Sequence, residues 1–179
     1  MKRIISIVFV FTMLLSITSI AYAKDNVNSY MTSEILEKAI DVVEFDNGVS
    51  FVLVKGINNE SNLMQKTRAK KYTTDSYDGY FYYSDSGAKI SEHTFKAYFS
   101  YDNTLATCYD TDSTVTMVDD NAPFIAKAED EKRNNLTPTN VYGQVKFVLR
   151  NSGDNSVNNS VKITIYCNQK GETNVIREY

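Results

Sequence analysis

The strongest constraint on the fold is the alternation of apolar and polar residues in two segments that each end in a cysteine. In residues 161–167, VKITIYC, the apolar side chains and Cys167 share one face of an extended strand. In residues 95–108, FKAYFSYDNTLATC, two alternating stretches flank a turn at Asp102-Asn103, which is the pattern of a β-hairpin. Both segments therefore predict strands with one face in a hydrophobic core.

The register of this hairpin predicts which side chains face inward. An even-length turn places Phe99 opposite Ala106. The same turn places Ala97 opposite Cys108, on the apolar face of the hairpin. Cys167 also faces inward in its own strand, so both cysteines have the orientation of core residues.

An even number of cysteines in an exported chain favours a disulfide, and we predict a bridge between Cys108 and Cys167. Closing a loop of about 60 residues would stabilise the fold by roughly 4 kcal/mol on the chain-entropy model. The alternative is a pair of buried free thiols.

Strands recur along the chain at intervals of about ten residues, with only two prolines and little helical periodicity. We therefore predict an all-β fold, an antiparallel two-sheet β-sandwich that is immunoglobulin-like in architecture. One short N-terminal helix is expected after the capping residues Thr32-Ser33-Glu34. The predicted core consists of Ala97, Phe99, Cys108, Val145, Phe147, Ile163, Ile165 and Cys167.

Other segments show the same signals. Asp46-Asn47-Gly48 predicts a tight hairpin turn, and Asn168-Gln169-Lys170-Gly171 predicts another. Residues 129–140 are charged and contain Pro138, so we interpret them as a loop. Further strands are predicted at residues 42–45, 49–54, 80–83, 114–117, 124–128, 141–150 and 173–177.

Residues 1–23 have the three regions of a signal peptide: the basic pair Lys2-Arg3, an apolar stretch at 4–17, and the small-x-small sequence Ala21-Tyr22-Ala23. They predict a secreted or extracellular protein, cleaved after Ala23. The remaining chain divides into 24–55, an N-terminal segment with the short helix and a hairpin, 56–71, a polar linker or loop, and 72–179, the β-sandwich core. In the alternative division, residues 24–179 form one domain.

The charge of the chain limits its partners. Removal of Lys2 and Arg3 with the signal peptide leaves 17 of the 19 basic residues against 22 acidic ones. Nucleic acids and anionic membranes require a basic surface, so we expect neither as a partner of the processed chain. The expected partner is an extracellular protein or a cell-wall glycan.

Two sequences, FSYDNTLATC at 99–108 and VKITIYCNQKG at 161–171, carry a resemblance to a group of known proteins. The chain resembles small exported proteins of Gram-positive bacteria that have no assigned function. In that group a Phe-x-Tyr-Asp hairpin precedes a terminal strand that ends in a cysteine and a glycine turn. The resemblance covers about the last ninety residues and implies a similar β-sandwich fold.

The sequence offers few residues for catalysis. Hydrolysis by a serine or cysteine nucleophile needs a base, and the chain has one histidine, His93, which we interpret as an exposed residue at a strand end. One histidine with two distant cysteines is too few for a zinc site, and the seven glycines form no phosphate-binding loop, so no cofactor is expected.

A weak calcium candidate consists of acidic residues that could meet at one end of the sandwich, and ordinary acidic turns are the alternative. Its members are Asp110, Asp112, Asp119, Asp120 and Asn121.

A second group consists of tyrosines whose rings could bind a sugar or a protein partner, although tyrosine is also a favoured strand residue. This candidate binding surface comprises Tyr72, Tyr77, Tyr80, Tyr82 and Tyr83. Taken together, these features predict a secreted, non-catalytic binding or interaction domain. The alternative is a small secreted toxin or bacteriocin-like protein, or a hydrolase.

Overall fold

The computed structural model describes residues 29–57, 70–135 and 140–179. In these ranges one short helix, α1 (Ser33–Glu37), precedes nine strands. The strands are β1 (Ala39–Glu44), β2 (Val49–Lys55), β3 (Lys71–Tyr83), β4 (Lys89–Tyr101), β5 (Ala106–Met117), β6 (Phe124–Asn134), β7 (Asn140–Asn151), β8 (Val157–Asn168) and β9 (Thr173–Glu178).

The strands form two antiparallel sheets in which neighbours along the chain are also neighbours in the sheet. The first sheet has the order β1-β2-β3-β4-β5, and the second has the order β6-β7-β8-β9. Hydrophobic side chains from both sheets form one cluster between them. The predicted two-sheet β-sandwich is therefore confirmed. Its connectivity in the described residues is a meander, whereas immunoglobulin domains use Greek-key connections.

The N-terminal helix begins where the sequence predicts but forms only a single turn. The side chain of Thr32 accepts a hydrogen bond from the backbone N–H of Ile35 at 3.3 Å, so Thr32 is the N-cap. None of the five helical residues is buried, and packing therefore does not extend the helix. Among the residues that the structure describes, no helix has the length and apolar character needed to cross a membrane.

Glycines occupy two turns that require a positive φ angle. Gly48 follows β1 with φ of +76°, and Gly171 joins β8 to β9 with φ of +82°. Glycine adopts this conformation without the steric cost that a Cβ would add. The backbone N–H of Gly48 donates to the carbonyl of Phe45 at 3.2 Å, which closes the first turn. Both predicted turns are confirmed.

The eight residues predicted for the core are all buried, with at most 1% of their surface exposed. They come from strands of both sheets, and their side chains point between the sheets. Burying a large apolar side chain contributes about 1.5–3 kcal/mol, so this face dominates the stability of the fold.

The register of the central hairpin differs from the prediction by two residues. Phe99 lies opposite Cys108, and Tyr101 lies opposite Ala106. The reason is the loop between β4 and β5, which is longer than the predicted turn. Because side chains alternate with a period of two, a shift of two residues keeps every inward residue inward.

The first part of the predicted loop at residues 129–140 is instead a strand, because β6 continues to Asn134. Residues 136–139 lie outside the described residues. Lys132 of β6 pairs with Gln144 of β7. The charged side chains are tolerated because β6 is the edge of its sheet and they reach solvent. Arg150 holds the Glu129 carboxylate with two contacts, at 2.8 and 3.0 Å.

The N-terminal hairpin belongs to the sandwich. Strand β2 pairs with β3 along seven residues, from Val49 opposite Tyr83 to Lys55 opposite Tyr77. The hairpin that the sequence placed before the linker is therefore part of the five-stranded sheet. Most of the predicted linker, residues 58–69, lies outside the described residues, as does the predicted signal peptide.

The two sheets approach most closely at Gly143 of β7. A Cβ added there would lie 2.6 Å from Thr111 Cγ2 and 3.0 Å from Ala97 Cβ, both in the opposite sheet. These distances are shorter than van der Waals contact, so a side chain at this position would push the sheets apart.

We predict that Gly143→Ala lowers the free energy of unfolding by about 1–3 kcal/mol, because the added methyl group overpacks the core. Urea unfolding measures the change. Gly153→Ala is the matched control, since its added Cβ would have its nearest neighbour at 3.6 Å. Thr111→Ser removes the clashing methyl group and should restore part of the loss in the double variant. Equal stability of Gly143→Ala and the control would contradict the prediction.

Candidate functional site

The five tyrosines of the predicted binding surface do not lie together, because the alternation of β3 separates them. Tyr77 is buried in the core, and Tyr83 is partly buried and packs against the core. Tyr80 and Tyr82 point to the outer face, but Tyr80 is partly buried and Tyr82 is only 9% exposed. Of the five, Tyr72 has the most exposed ring, at 43%.

The N-terminal segment contacts the first sheet at two points. The N–H of Met31 donates to the carbonyl of Gly87 at 2.8 Å, in the turn between β3 and β4. Strand β1 begins with Ala39 opposite Val54, near the other end of β2. Val52 points to the outer face of this sheet and is completely buried.

An exposed tyrosine cluster does form, at the opposite end of the same outer face. It consists of Tyr72, Tyr98 and Tyr109, which come from β3, β4 and β5. The ring centroids of Tyr72 and Tyr109 lie 5.9 Å apart in an edge-on arrangement, and those of Tyr98 and Tyr109 lie 6.1 Å apart. Tyr72 and Tyr109 are 43% and 44% exposed. This geometry is favourable for aromatic pairs.

A β-bulge places Tyr109 in this cluster. Tyr98 pairs with Asp110 and Phe99 pairs with Cys108, so Tyr109 is the extra residue between the two pairs. A bulge allows two successive side chains to point to the same face. Tyr109 and Asp110 therefore both point outward, while the residues on either side of them keep their inward orientation.

A second aromatic pair lies on the outer face of the other sheet. Four residues form a row across its four strands: Asn134, Tyr142, Tyr166 and Asn174. The ring centroids of Tyr142 and Tyr166 lie 5.3 Å apart. The amide of Asn134 donates to the Tyr142 hydroxyl at 3.0 Å. The row thus has two rings in the middle and an amide at each end.

Side-chain hydrogen bonds at the β5–β6 corner bring these two groups to the same level of the sandwich. Asn135 accepts from the N–H of Cys108 at 2.8 Å and donates to its carbonyl at 3.1 Å. The guanidinium of Arg133 donates to the Tyr109 carbonyl. Asn134 lies between these residues in β6 and contacts Tyr142 on the other side. We call these two groups together the tyrosine arc: Tyr72, Tyr98 and Tyr109 on the outer face of the first sheet, and Tyr142 and Tyr166 on the outer face of the second.

The interpretation of His93 as an exposed residue is wrong. His93 is 2% exposed and lies among phenylalanine rings. Its ring centroid is 4.5 Å from that of Phe147 and 5.2 Å from that of Phe81. Nε2 of His93 lies 2.9 Å from the hydroxyl of Ser91, and Nδ1 has no partner. Burial lowers the pKa of His93 to about 3, so it is a neutral core residue out of reach of a substrate.

A buried carboxylate belongs to a closed polar cluster between β2 and β3. Asp75 is 2% exposed and accepts hydrogen bonds from Lys55 and, at 3.2 Å, from the Tyr77 hydroxyl. Burial lowers the pKa of Lys55, but the contacts with Asp75 and Tyr77 outweigh this effect and the net shift is upward. Lys55 therefore remains a cation paired with Asp75, a structural arrangement.

The predicted disulfide is not formed, and both cysteines are buried free thiols. Cys108 Sγ lies 3.4 Å from the Cβ position of Gly143, which pairs with Ile165. Cys167 pairs with Val141, one diagonal step away. The two sulfur atoms are not bonded, although both side chains enter the same core cluster.

Both thiols also have low reactivity. Cys108 Sγ donates to the carbonyl of Asp110 at 3.6 Å, and Cys167 Sγ donates to that of Asn168 at 3.4 Å. Burial raises the pKa of Cys108 to about 12 and that of Cys167 to about 11. The reactive form of cysteine is the thiolate, so neither residue is a nucleophile at neutral pH.

The calcium candidate is not assembled. Asp110 and Asp112 lie within β5, whereas Asp119, Asp120 and Asn121 form the turn after it. At about 3.3 Å per residue, the extended chain places Asp112 roughly 20 Å from Asp119. Asp119 instead accepts the N–H of Asn121 at 3.0 Å, as ordinary turns do. Within the described ranges, no group of three His, Cys, Asp or Glu residues could hold a metal ion.

Comparison with known proteins does not assign this geometry to a family. No family model, curated protein or solved structure matches the chain. A functional proposal therefore depends on the arrangement of the described side chains.

We predict that His93 makes the protein sensitive to acid. The folded-state pKa of about 3 lies below the ordinary value of 6.5, so the unfolded chain binds more protons between these values. The free energy of unfolding is therefore unaffected by His93 above about pH 6.5 and falls as the pH approaches 3, by roughly 5 kcal/mol in total.

Urea unfolding between pH 3 and 8 measures this dependence in the wild type and in Ser91→Ala/His93→Phe. The double variant keeps an aromatic ring in the cluster and removes the titrating group together with its hydroxyl partner. Its stability should change less with pH than that of the wild type, and Ser91→Ala alone should retain the wild-type dependence. Parallel curves for all three proteins would exclude a role for His93.

We predict that the native protein resists alkylation at pH 8, because burial keeps both cysteines protonated. After denaturation without reductant, iodoacetamide should modify two thiols, counted by mass spectrometry. A control sample, denatured with reductant, should give the same count. No modification in the unreduced sample would show that the chain carries a disulfide.

Proposed function

We propose that this chain is a secreted, non-catalytic binding domain whose ligand contacts the tyrosine arc. The observation that carries the proposal is the cluster of Tyr72, Tyr98 and Tyr109, in which Tyr72 and Tyr109 remain more than two fifths exposed. Tyrosine combines an apolar ring face with a polar edge and is enriched at binding surfaces. An extracellular protein or a cell-wall glycan is the class of ligand that such a surface fits.

The pairing of the strands supports a role of these tyrosine rings in ligand binding. Strands β3 and β4 each have a hydrogen-bonded neighbour on both sides, as do β7 and β8. Three of the five rings, those of Tyr98, Tyr142 and Tyr166, therefore project from positions that are paired on both sides. A surface that is already ordered loses little conformational entropy when a ligand binds.

The positions of the possible catalytic groups favour binding over hydrolysis. A hydrolase of the serine or cysteine type needs a base within reach of its substrate. His93, the one histidine of the chain, is enclosed by aromatic rings, and burial lowers its pKa. Secretion is proposed from the signal-peptide pattern of residues 1–23. No feature of the described residues specifically favours the toxin alternative.

We predict that Tyr72→Ala/Tyr109→Ala weakens ligand binding roughly tenfold or more, because two exposed ring faces are removed from one contact. The measurement is retention of the protein by cell-wall polymers, polysaccharides and culture-medium proteins, each immobilised separately. Stability should change by less than about 1 kcal/mol per substitution, since both side chains lie on the surface.

Tyr30→Ala is the matched control for this experiment. Tyr30 is 47% exposed and pairs with Ala88 at the other end of the sandwich, away from the tyrosine arc. The control should bind as the wild type does. Equal retention of the wild type and the double variant by every ligand would refute the proposal.

A further inference from the structure

A depression lies on the outer face of the second sheet, where β8 turns into β9. It is a shallow depression open to solvent, and its volume of about 610 Å³ lies within the range of about 300–1,000 Å³ that is typical of small-molecule sites. We call it the Tyr166 depression, because its aromatic wall is the last ring of the tyrosine arc. It is lined by Tyr166, Asn168, Glu172, Thr173, Asn174 and Ile176.

The turn beside the depression is fixed by its own hydrogen bonds. Asn168 Oδ1 accepts the backbone N–H of Lys170 at 2.9 Å and that of Glu172 at 3.1 Å. Asn168 Nδ2 donates to Glu172 Oε2 at 2.7 Å. Gly171 lies against the ring of Tyr101, with no space for a Cβ. The wall of the depression is therefore formed before any ligand arrives, which lowers the entropy lost on binding.

The lining matches the chemistry of a sugar. A sugar ring presents C–H groups on its face, which pack against an aromatic ring such as Tyr166, and hydroxyl groups around its edge. Hydroxyls both donate and accept hydrogen bonds, and the amide of Asn174 and the carboxylate of Glu172 supply partners for both. The centre of a protein interface, by contrast, is depleted of such carboxylates.

The charge of the depression indicates which sugars fit. Glu172 is the one charged residue in the lining. Its carboxylate repels an acidic sugar but accepts hydrogen bonds from the hydroxyls of an uncharged one. Oε2 of Glu172 accepts a hydrogen bond from Asn168, which orients the carboxylate, and Glu172 is an exposed residue.

We propose that the Tyr166 depression is a subsite for one uncharged sugar unit of an extracellular glycan. This inference rests on the proposed function, because it names the ligand class of the tyrosine arc. Tyr142, with its ring centroid 5.3 Å from that of Tyr166, extends the aromatic wall toward β6. The next sugar units therefore lie across the strands, along the row that ends at Asn134.

The experiment is a glycan array printed with uncharged, amine-bearing and acidic oligosaccharides and probed with the protein. Selective binding of uncharged oligosaccharides is expected. The best of them is then titrated into labelled protein and followed by nuclear magnetic resonance, where the largest amide shifts should fall in residues 166–176. Selective binding of acidic oligosaccharides, or of none, would overturn the inference.

Variants separate a direct contact from an effect on the fold. Tyr166→Ala should weaken binding of the chosen oligosaccharide roughly tenfold, whereas Tyr166→Phe keeps the ring and should lose much less. If Tyr166→Ala does not fold, Asn174→Ala tests the same subsite at an exposed position. Tyr30→Ala is again the control. Unchanged affinity in Asn174→Ala together with folded Tyr166→Ala contradicts the subsite.

The two proposals can fail separately. If no oligosaccharide binds but Tyr72→Ala/Tyr109→Ala still loses retention by an extracellular protein, the sugar inference is wrong and the binding domain stands. If neither experiment detects a ligand, both proposals are wrong.

Discussion

Packing between the inward faces of the two sheets is the interaction on which the rest of the structure depends. In the described residues no ladder of backbone hydrogen bonds joins one sheet to the other. Side-chain contacts hold their edges, such as Asn135 with Cys108 at one side and Arg177 with Asp41, at 2.8 Å, at the other. Every strand must therefore present its apolar residues inward, since a slip of one residue would expose them.

The candidate binding surface is a consequence of this constraint. Once the inward residues are fixed, the outward residues are fixed as well, and five tyrosines from five strands reach one level of the sandwich. The bulge in β5 places Tyr109 on the outer face as well. Tyr109 is the extra residue of the bulge, and Cys108 next to it keeps its inward orientation. The positions of the candidate binding surface and of the core thus follow from the same strand registers.

The sequence predicts the inward and outward faces well because alternation is a local property. The sequence predicts less well the features that depend on how residues of different strands lie relative to one another. Cys108 and Cys167 both face inward as expected, but whether their sulfur atoms reach bonding geometry depends on how the two sheets are aligned. The orientation of His93 could have been found, since it continues the alternation of Phe95 and Ala97. The tyrosine arc could not, because its members meet only through the registers of several pairs of strands.

The meander order of the strands affects the order in which they can pair during folding. Within each sheet, every strand after the first pairs with the strand that precedes it along the chain, and the hairpins other than β2–β3 close short loops. Sandwiches with Greek-key connections must wait for distant strands before their sheets are complete. A chain that emerges from its N-terminus can add one hairpin after another to a growing sheet. Strands β1–β5 precede β6–β9 in the chain, so the five-stranded sheet can form first. Its apolar face is then exposed, and prone to aggregation, until β7 and β8 pack against it.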